Sequence, residues 1–406
     1  MIAPSVLDSA YSWTRLALSL LIAVIGNVGM WAVIVVLPEV QAELGVDRAD
    51  ASIPYTATMV GFALGNLLIG RLMDRHGAWT VLIGAALLLG ASYVAATAGS
   101  SIWWLSAMHV GIGFGSAASF GPLIADISHW FGKRRGIAVA IAASGNYLSG
   151  AIWPMLLAGL LAGSGWRAVH LALAIISVVG MIPLALFLRR RIPAEATAVA
   201  AAAAAANARA TAFSPRTLQW LLAAAGFGCC MAMAMPQVHI VALCVDLGYG
   251  PAAGAQMLSL MLVGGVISRL ASGVIADRLG GVRTLLIGSV GQLIGLILYL
   301  PFDGLASLYV VSLIFGLSQG GIIPSYALIV REYLPPKEAG ARVGAVIMAT
   351  IVGMAVGGWA SGWIHDLTQS YRVAFLNGIA WNCFNLAVIL WLLSRSRPRT
   401  PAAVPA

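Results

Sequence analysis

Charged side chains are scarce in this chain of 406 residues. Asp, Glu, Lys and Arg make up 9% of the positions, whereas soluble domains carry roughly 25%. Hydrophobic residues make up 60%, and they form long apolar runs close to the roughly 20 residues that a helix needs to cross a bilayer. This composition excludes a water-soluble fold and predicts many membrane crossings.

Cysteine is also rare, and catalytic signatures are missing. The four cysteines lie inside apolar runs, so their positions offer neither a disulfide framework nor a zinc-ligand spacing. The sequence shows no phosphate-binding loop, no metal-ligand cluster and no recognisable pairing of a nucleophile with a base. We therefore predict no catalytic residue, no metal and no cofactor, and an integral-membrane enzyme is disfavoured.

The formal net charge of +9 is explained by topology. Most of the 23 Lys and Arg residues fall in segments on the side of the two termini, with clusters at 133–135 and 189–191. Such a bias marks the cytoplasmic side of a membrane protein. We expect a multi-pass protein of the inner (plasma) membrane with both termini in the cytoplasm, and no nucleic-acid partner is needed to explain the charge.

Apolar runs separated by polar segments predict twelve transmembrane helices. The first run lacks a small-residue cleavage site, so we expect it to be retained as a helix. The first six helices are predicted near residues 15–38, 53–73, 79–98, 102–126, 136–161 and 167–188. The other six are predicted near residues 218–245, 253–276, 282–300, 305–329, 340–363 and 373–394.

These helices predict an all-α integral membrane fold with two bundles of six. Residues 1–188 form the N-terminal bundle, and residues 218–406 form the C-terminal bundle with a short cytoplasmic tail. The cytoplasmic linker at 189–217 contains the alanine run 200–206 and is too short for an independent domain. It forms either a surface helix or a disordered connection.

The two bundles share an internal repeat. Residues 70–77, Gly-Arg-Leu-Met-Asp-Arg-His-Gly, are similar to residues 273–280, Gly-Val-Ile-Ala-Asp-Arg-Leu-Gly, and both segments follow the second helix of a half. The sequence Gly-Trp-Arg at 165–167 likewise corresponds to Ser-Tyr-Arg at 370–372. Duplicated bundles of this kind place a substrate cavity near the midplane between the halves. The repeat therefore predicts a transporter.

The paired loops, the six-plus-six layout and the basic loop Trp-Phe-Gly-Lys-Arg-Arg-Gly at 130–136 resemble the major facilitator superfamily over the whole chain. The resemblance implies a fold of two pseudo-symmetric six-helix bundles. In that family the Asp and Arg of the repeated loop hold the cytoplasmic gate closed, and the glycines allow a tight turn. The gate residues implied here are Gly70, Asp74, Arg75, Gly77, Gly273, Asp277, Arg278 and Gly280. Asp126 is a further candidate, although it is equally explained as a solvated helix end.

Within the superfamily, the sequence around helices 7 and 8 resembles the monocarboxylate and oxalate transporter group. The matching motifs are Pro236-x-x-His239-x-Val241, Asp246-Leu247-Gly248 and Ser268-Arg269-x-x-x-Gly273. In that group an arginine in helix 8 binds the substrate carboxylate, and the resemblance gives this role to Arg269.

The chain also departs from that group. Gly265 stands where animal members have an aspartate, and Ser119 stands where bacterial members often have a tyrosine before the proline that corresponds to Pro122. Helix 11 lacks the lysine of oxalate carriers, which disfavours a dicarboxylate held between two cations.

Arg269 stands out without any family argument. It lies eight residues from Asp277, or roughly 12 Å from the membrane surface at 1.5 Å per residue. A charged residue at that depth usually faces a wet cavity and has a partner. Because the predicted helices hold no carboxylate at similar depth, a substrate anion is the favoured partner. The alternative is that Arg269 reaches the cytoplasmic surface or bonds backbone carbonyls of neighbouring helices.

Other polar residues within the predicted helices complete the candidate site. Side chains that can line a cavity or join helices are Asn27, Trp31, Asn146, Tyr147 and Gln319. His239 and His109 are candidates for proton coupling, because histidine can exchange a proton near neutral pH. Interhelical hydrogen bonding is the alternative role for both.

The sequence thus favours a secondary active transporter that works by alternating access and moves a small monocarboxylate-like anion, with coupling to a proton left open. An exporter of amphipathic drugs or metabolites is the first alternative, and a non-transporting membrane sensor is the second. The expected partners are a small-molecule substrate and the lipid bilayer. The oligomeric state is open, and a monomer is compatible with the sequence.

Overall fold

The computed structural model describes residues 7–131, 134–190, 213–334 and 339–395. Within these ranges, the side chains at 74, 135, 136, 277, 331 and 339–341 are not described. The alanine run of the predicted linker lies outside the described residues, as do residues 132–133 of the basic loop.

The described residues form fifteen helices. The first eight are α1 (Ala10–Gly26), α2 (Val28–Leu44), α3 (Arg48–Ala51), α4 (Ile53–His76), α5 (Ala78–Thr97), α6 (Ile102–Ala117), α7 (Gly121–His129) and α8 (Arg135–Leu186). The others are α9 (Pro215–Asp246), α10 (Pro251–Leu279), α11 (Gly281–Leu298), α12 (Leu305–Gln319), α13 (Ile322–Tyr333), α14 (Ala339–Thr368) and α15 (Tyr371–Arg395).

Eleven segments among the described residues are long and apolar enough to span a membrane. One of them, Ile137–Leu186, has 50 residues, or roughly 75 Å of helix at 1.5 Å per residue. It breaks at Gly165, where φ is 79° and ψ is 170°, so it supplies two crossings. The resulting twelve crossings agree with the twelve helices predicted from the sequence.

Several crossings consist of two helices joined at a break. The first crossing breaks at Asn27, between α1 and α2, and the Asn27 side chain donates to the carbonyl oxygen of Ala23 in the preceding turn. The fourth crossing breaks between α6 and α7, and the tenth breaks between α12 and α13 at Gly320 and Gly321. Breaks within the membrane free backbone carbonyls, which other groups can then bind.

Six crossings precede the undescribed segment 191–212 and six follow it; we call them the N-half and the C-half. We call the side where α1 begins and α15 ends the terminal face, and the other side the opposite face. The halves meet where α4 packs against α14 and where α8 packs against α10. These four long helices form most of the interface between the halves, and α2 and α3 of the N-half add further contacts to the C-half.

The repeated loops have the same backbone geometry in both halves. Gly77 joins α4 to α5 with φ 89° and ψ 157°, and Gly280 joins α10 to α11 with φ 83° and ψ 168°. Side chains strongly disfavour this region, so both positions require glycine. Gly70 and Gly273 instead lie inside helices, where an added Cβ would meet nothing within 4 Å. The expectation that all four glycines permit a turn is wrong for these two.

Candidate functional site

Arg269 lies in α10, at the interface between the halves, and is 6% exposed. Its Nε donates to the carbonyl oxygen of Gly320 at 3.1 Å, at the break between α12 and α13. Its Nη1 donates to the carbonyl oxygen of Ala143 in α8 of the other half at 2.5 Å. The guanidinium therefore bridges the halves through backbone oxygens, which is one of the alternatives that the sequence left open.

The ring of Tyr147 lies against the Arg269 guanidinium, with 4.1 Å between the guanidinium carbon and the ring centroid. Such a cation–π contact fixes the plane of the guanidinium. Gly265, one turn before Arg269, makes room for the ring, because an added Cβ would lie 3.0 Å from it. The Tyr147 hydroxyl is buried and makes no hydrogen bond of good geometry to a described residue.

The ion pairs in the described part of the chain all lie elsewhere. They join Arg15 to Asp126, Arg167 to Glu43, and Arg48 and His365 to acidic residues of the C-half. Arg269 is thus buried without a carboxylate partner among the described residues. A buried cation held by carbonyl dipoles and an aromatic ring, without a negative charge beside it, leaves its charge uncompensated, which is costly in a membrane.

The other predicted cavity residues fall into two groups. Gln319 precedes Gly320, accepts a hydrogen bond from Gln237, and has a buried amide nitrogen without a partner among the described residues. The indole of Trp31 donates to the carbonyl oxygen of Asn146, and its ring centroid lies 6.5 Å from that of Tyr147. These side chains lie around the Arg269 region.

Asn27 and Asn146 are instead used within the N-half. Asn27 donates to the carbonyl oxygens of Ala23 and Ser119, and it accepts from the Asn146 amide at 3.3 Å. The amide nitrogen of Asn146 also lies 3.2 Å from the sulfur of Met30. These bonds hold the break in the first crossing against the fourth and fifth crossings.

His239 and His109 lie in different places, and neither bonds to Arg269. His239 contacts the Tyr371 hydroxyl through Nδ1 at 3.1 Å and the carbonyl oxygen of Gly358 through Nε2 at 2.8 Å. His109 contacts Thr58 through Nδ1 and His170 through Nε2. His170 did not emerge from the sequence, because nothing in its local pattern separates it from a packing residue.

Arg48 joins the two halves at the opposite face. Its Nη2 donates to Asp246 at 3.0 Å and its Nη1 donates to the Tyr371 hydroxyl at 2.9 Å. Asp366 accepts from the backbone N–H groups of Arg48 and Ala49 at 3.0 and 2.7 Å. We call Arg48, Asp246, Asp366 and Tyr371 the interhalf seal. The sequence offered one signal for it, namely an arginine on a face where basic residues are few.

The predicted gate at the terminal face is only partly visible. The side chains of Asp74 and Asp277 lie outside the described residues, while Arg75 and Arg278 are exposed. Arg75 lines a cavity of about 530 Å³ at the surface of the N-half together with Leu72 and Phe114. In the C-half, the Glu332 carboxylate accepts from the backbone N–H of Gly281 at 3.2 and 3.3 Å.

Asp126 pairs within its own half. Its carboxylate accepts from Nε and Nη2 of Arg15 at 2.8 and 3.0 Å. Arg15 is 2% exposed and also donates to the carbonyl oxygen of Leu188. This bidentate pair ties the first, fourth and sixth crossings together at the terminal face, and it does not reach the C-half.

Comparison with known families decides the class of protein. The model of the Major Facilitator Superfamily matches residues 19–311 and 235–406. The chain belongs to this superfamily. It is a multi-pass membrane transporter, which confirms the predicted family, the fold and the transport of a small molecule.

The transporter is similar to named relatives from several organisms. It is 26% identical over 366 residues to monocarboxylate transporter 13 of Rattus norvegicus, covering 86% of this chain and 82% of the relative. It is 28% identical over 346 residues to monocarboxylate transporter 11 of Homo sapiens, covering 80% and 69%. It is 24% identical over 306 residues to the MFS transporter asaE of Aspergillus flavus, covering 74% and 67%. The predicted resemblance to the monocarboxylate group is confirmed.

Solved structures have the same fold at low sequence identity. The inward-facing, occupied form of a bacterial homologue of the human lysosomal transporter Spinster superposes with a TM-score of 0.74 at 14% identity, covering 97% of this chain and 100% of that one. The unoccupied inward-facing form gives a TM-score of 0.70 at 13% identity, with the same coverage. The fold of the transporter is therefore that of the superfamily.

Proposed function

We propose that this transporter carries a small monocarboxylate-like anion across the membrane by alternating access, with Arg269 as the anion-binding residue. The proposal rests on the Arg269 side chain, which is 6% exposed and lies at the interface between the halves. Among the described residues it has no carboxylate partner, so a substrate anion would supply the missing charge.

The contacts of Arg269 favour a carboxylate. The Tyr147 ring fixes the plane of the guanidinium, while Nε and Nη1 bond to the carbonyl oxygens of Gly320 and Ala143. A planar carboxylate can approach the remaining N–H groups in that plane and form parallel hydrogen bonds. The Tyr147 hydroxyl, which lies beside the guanidinium, and the unpartnered amide nitrogen of Gln319 are further donors for a substrate. Trp31 would form an apolar wall.

Alternating access would run between the interhalf seal and the terminal face. We propose that the opposite face is external and the terminal face cytoplasmic, because Lys and Arg are concentrated in the terminal-face segments of an inner-membrane protein. In the conformation of this structure, the ion pair between Arg48 and Asp246 would then close the external side. On the cytoplasmic side, the gate would form from Asp74, Arg75, Asp277 and Arg278.

A coupled proton is the second part of the proposal. An anion that enters with a proton crosses without net charge, so the membrane potential does not oppose its uptake. His109 and His239 are the buried histidines named by the sequence. His239 uses both ring nitrogens at the seal, which favours a structural role for it.

Uptake by proteoliposomes tests this function. The purified protein is reconstituted and offered labelled lactate, pyruvate and related monocarboxylates, with the wild type compared with Arg269→Gln and with Arg372→Gln as an exposed-arginine control. We expect Arg269→Gln to lower uptake by about 10- to 100-fold, the range for losing hydrogen bonds to a charged group. The control should keep wild-type uptake.

Two results would overturn the proposal. One is uptake by the folded Arg269→Gln protein at the wild-type rate. The other is a wild-type protein that moves none of the monocarboxylates but moves amphipathic compounds, which would identify an exporter of drugs or metabolites.

A further inference from the structure

Two buried histidines meet inside the N-half, away from the Arg269 region. His109 in α6 and His170 in the sixth crossing are each 1% exposed. Their Nε2 atoms lie 3.4 Å apart, and the two rings cross at 70° with 5.6 Å between centroids. Both nitrogens of a contact at this distance and orientation can share one hydrogen.

The outer nitrogens of the pair have fixed partners. Nδ1 of His170 lies 2.9 Å from the carbonyl oxygen of Trp166. Because a carbonyl oxygen only accepts, His170 carries a hydrogen on Nδ1. Nδ1 of His109 lies 2.9 Å from the hydroxyl of Thr58, and that hydroxyl also lies 2.8 Å from the carbonyl oxygen of Pro54.

Hydrogen counting then gives the pair two states. The Thr58 hydroxyl has one hydrogen, so it can donate to Pro54 or to His109, but not to both. If it donates to His109, that ring carries its hydrogen on Nε2 and donates it to His170, and the pair is neutral. If the Thr58 hydroxyl donates to Pro54 instead, His109 carries its hydrogen on Nδ1 and donates it to Thr58. Both Nε2 atoms then present lone pairs to each other. One added proton can bind between them.

We propose that His109 and His170 bind one proton between their Nε2 atoms and that this is the coupling-ion site of the transporter. This inference rests on the proposed function, since it assigns the proton that accompanies the anion. It adds His170 to the candidates and gives the proton a place separate from Arg269. No bond between heavy atoms forms or breaks, because the proton adds to a lone pair and leaves from it.

The charged and titratable groups around the pair are few. Tyr93 of α5 packs its ring edge-on against His170 at 5.6 Å. The Trp166 indole, whose backbone holds His170, donates to Glu43 of α2 at 2.7 Å. Glu43 also forms an ion pair with Arg167, and Glu39 lies close to Gly165. Carboxylates thus lie on the opposite-face side of the pair, where an incoming proton would arrive.

The pair also adjoins a helix that closes the opposite face. Thr58 lies in α4, and two residues earlier Thr56 donates to the carbonyl oxygen of Ala355 in the C-half at 3.0 Å. Tyr55 of the same helix packs against Gly358. A proton bound between the histidines places a positive charge next to α4, which must separate from α14 when the seal opens. Proton binding can therefore stabilise the state with an open seal and the state with a closed seal to different extents, which shifts the equilibrium between them.

Transport with two driving forces tests the assignment. His109→Gln, His170→Gln and the control His129→Gln are reconstituted with the wild type. Counterflow of the labelled anion without a pH gradient measures the anion site, and accumulation under a gradient of one pH unit measures coupling. We expect the wild type and the control to accumulate about tenfold, the proton ratio across one pH unit. The two pair variants should keep counterflow and lose accumulation.

Accumulation by the His109→Gln and His170→Gln proteins at the wild-type level would overturn the inference while leaving the proposed function intact. Absence of counterflow in the wild type would instead overturn the proposed function. In that case, nitrogen NMR of the histidine rings in the purified protein decides the proton site. The inference requires the ring-nitrogen signals of His109 and His170 to shift together, with the uptake of one proton, between about pH 5 and 8. Signals that shift independently or stay unchanged would contradict it.

Discussion

Nη2 of Arg48 lies 3.0 Å from Oδ1 of Asp246, and this ion pair joins the N-half to the C-half at the opposite face. The Arg48 side chain is 8% exposed and that of Asp246 is 33% exposed. Alternating access requires this pair to separate whenever the opposite face opens. The pair therefore belongs to the equilibrium between the two states of the transporter.

Replacement of Asp246 by Asn should shift that equilibrium toward the state open at the opposite face. Because the pair is partly exposed, we expect a shift of about 1 kcal/mol, or about fivefold in the ratio of the two states. Double electron–electron resonance between spin labels on the two halves would measure the ratio. Arg167→Gln is the matched control, since it removes an ion pair on the same face that lies within one half. Equal distance distributions in wild type and Asp246→Asn would contradict this prediction.

Gly265 keeps the space occupied by the Tyr147 ring and leaves Arg269 without a carboxylate in its own helix. Gly265→Asp places an acid one turn before Arg269, where side chains four residues apart meet. We expect anion binding to weaken by about tenfold at neutral pH and to recover in acid, because an ionised aspartate competes for the guanidinium and a protonated one does not. Gly265→Ala crowds the ring in the same way but adds no charge. The anion affinity of Gly265→Ala should therefore not recover in acid. The same pH profile of anion affinity in Gly265→Ala and Gly265→Asp would contradict this prediction.

Gly150 permits close contact of the halves where α8 meets α10. An added Cβ would lie 2.3 Å from the side chain of Leu262 and 2.6 Å from the Trp31 ring. Gly150→Ala should therefore cost about 1–3 kcal/mol of stability, as overpacking does in tight interiors, and should slow transport. Gly159→Ala, in the same helix, meets nothing within 4 Å and should be neutral or stabilising. Thermal unfolding in detergent measures the stability of both variants. Equal melting temperatures for Gly150→Ala and Gly159→Ala would contradict the close packing at Gly150.

The two turn glycines should respond alike because the halves repeat. Gly77→Ala and Gly280→Ala force a side chain into a backbone region used almost only by glycine, at about 1–3 kcal/mol each. Gly70→Ala and Gly273→Ala add a methyl group in open space within a helix and should stabilise the protein slightly. Chemical unfolding of the four variants tests the contrast. If Gly70→Ala lowered the free energy of unfolding as much as Gly77→Ala does, the contrast between the helical and the turn glycines would be wrong.

Hydropathy and charge were sufficient to predict the twelve crossings and the isolated Arg269, through the spacing of apolar runs and the cost of a charge in the membrane. The duplicated halves came from the repeat of residues 70–77 at residues 273–280, and the two-bundle fold came from the family resemblance. The breaks within crossings were not predicted, because an interrupted helix and a continuous one have the same average hydropathy.

Partners that are distant in sequence could not be read from the chain. Arg48 meets Asp246, and His109 meets His170, only after the helices pack. The stacking of Tyr147 on Arg269 likewise crosses the interface between the halves. Sequence reasoning therefore found several members of the site but not the arrangement that connects them.

Equilibrium binding to the purified protein tests the central claim most directly. Lactate and its neutral amide have nearly the same shape, so the difference in their affinities isolates the charge. The account predicts that the wild type prefers lactate to lactamide by about tenfold or more and that Arg269→Gln binds both weakly and equally. Equal binding of the two compounds by the wild type, or an unchanged preference for lactate in Arg269→Gln, would contradict it.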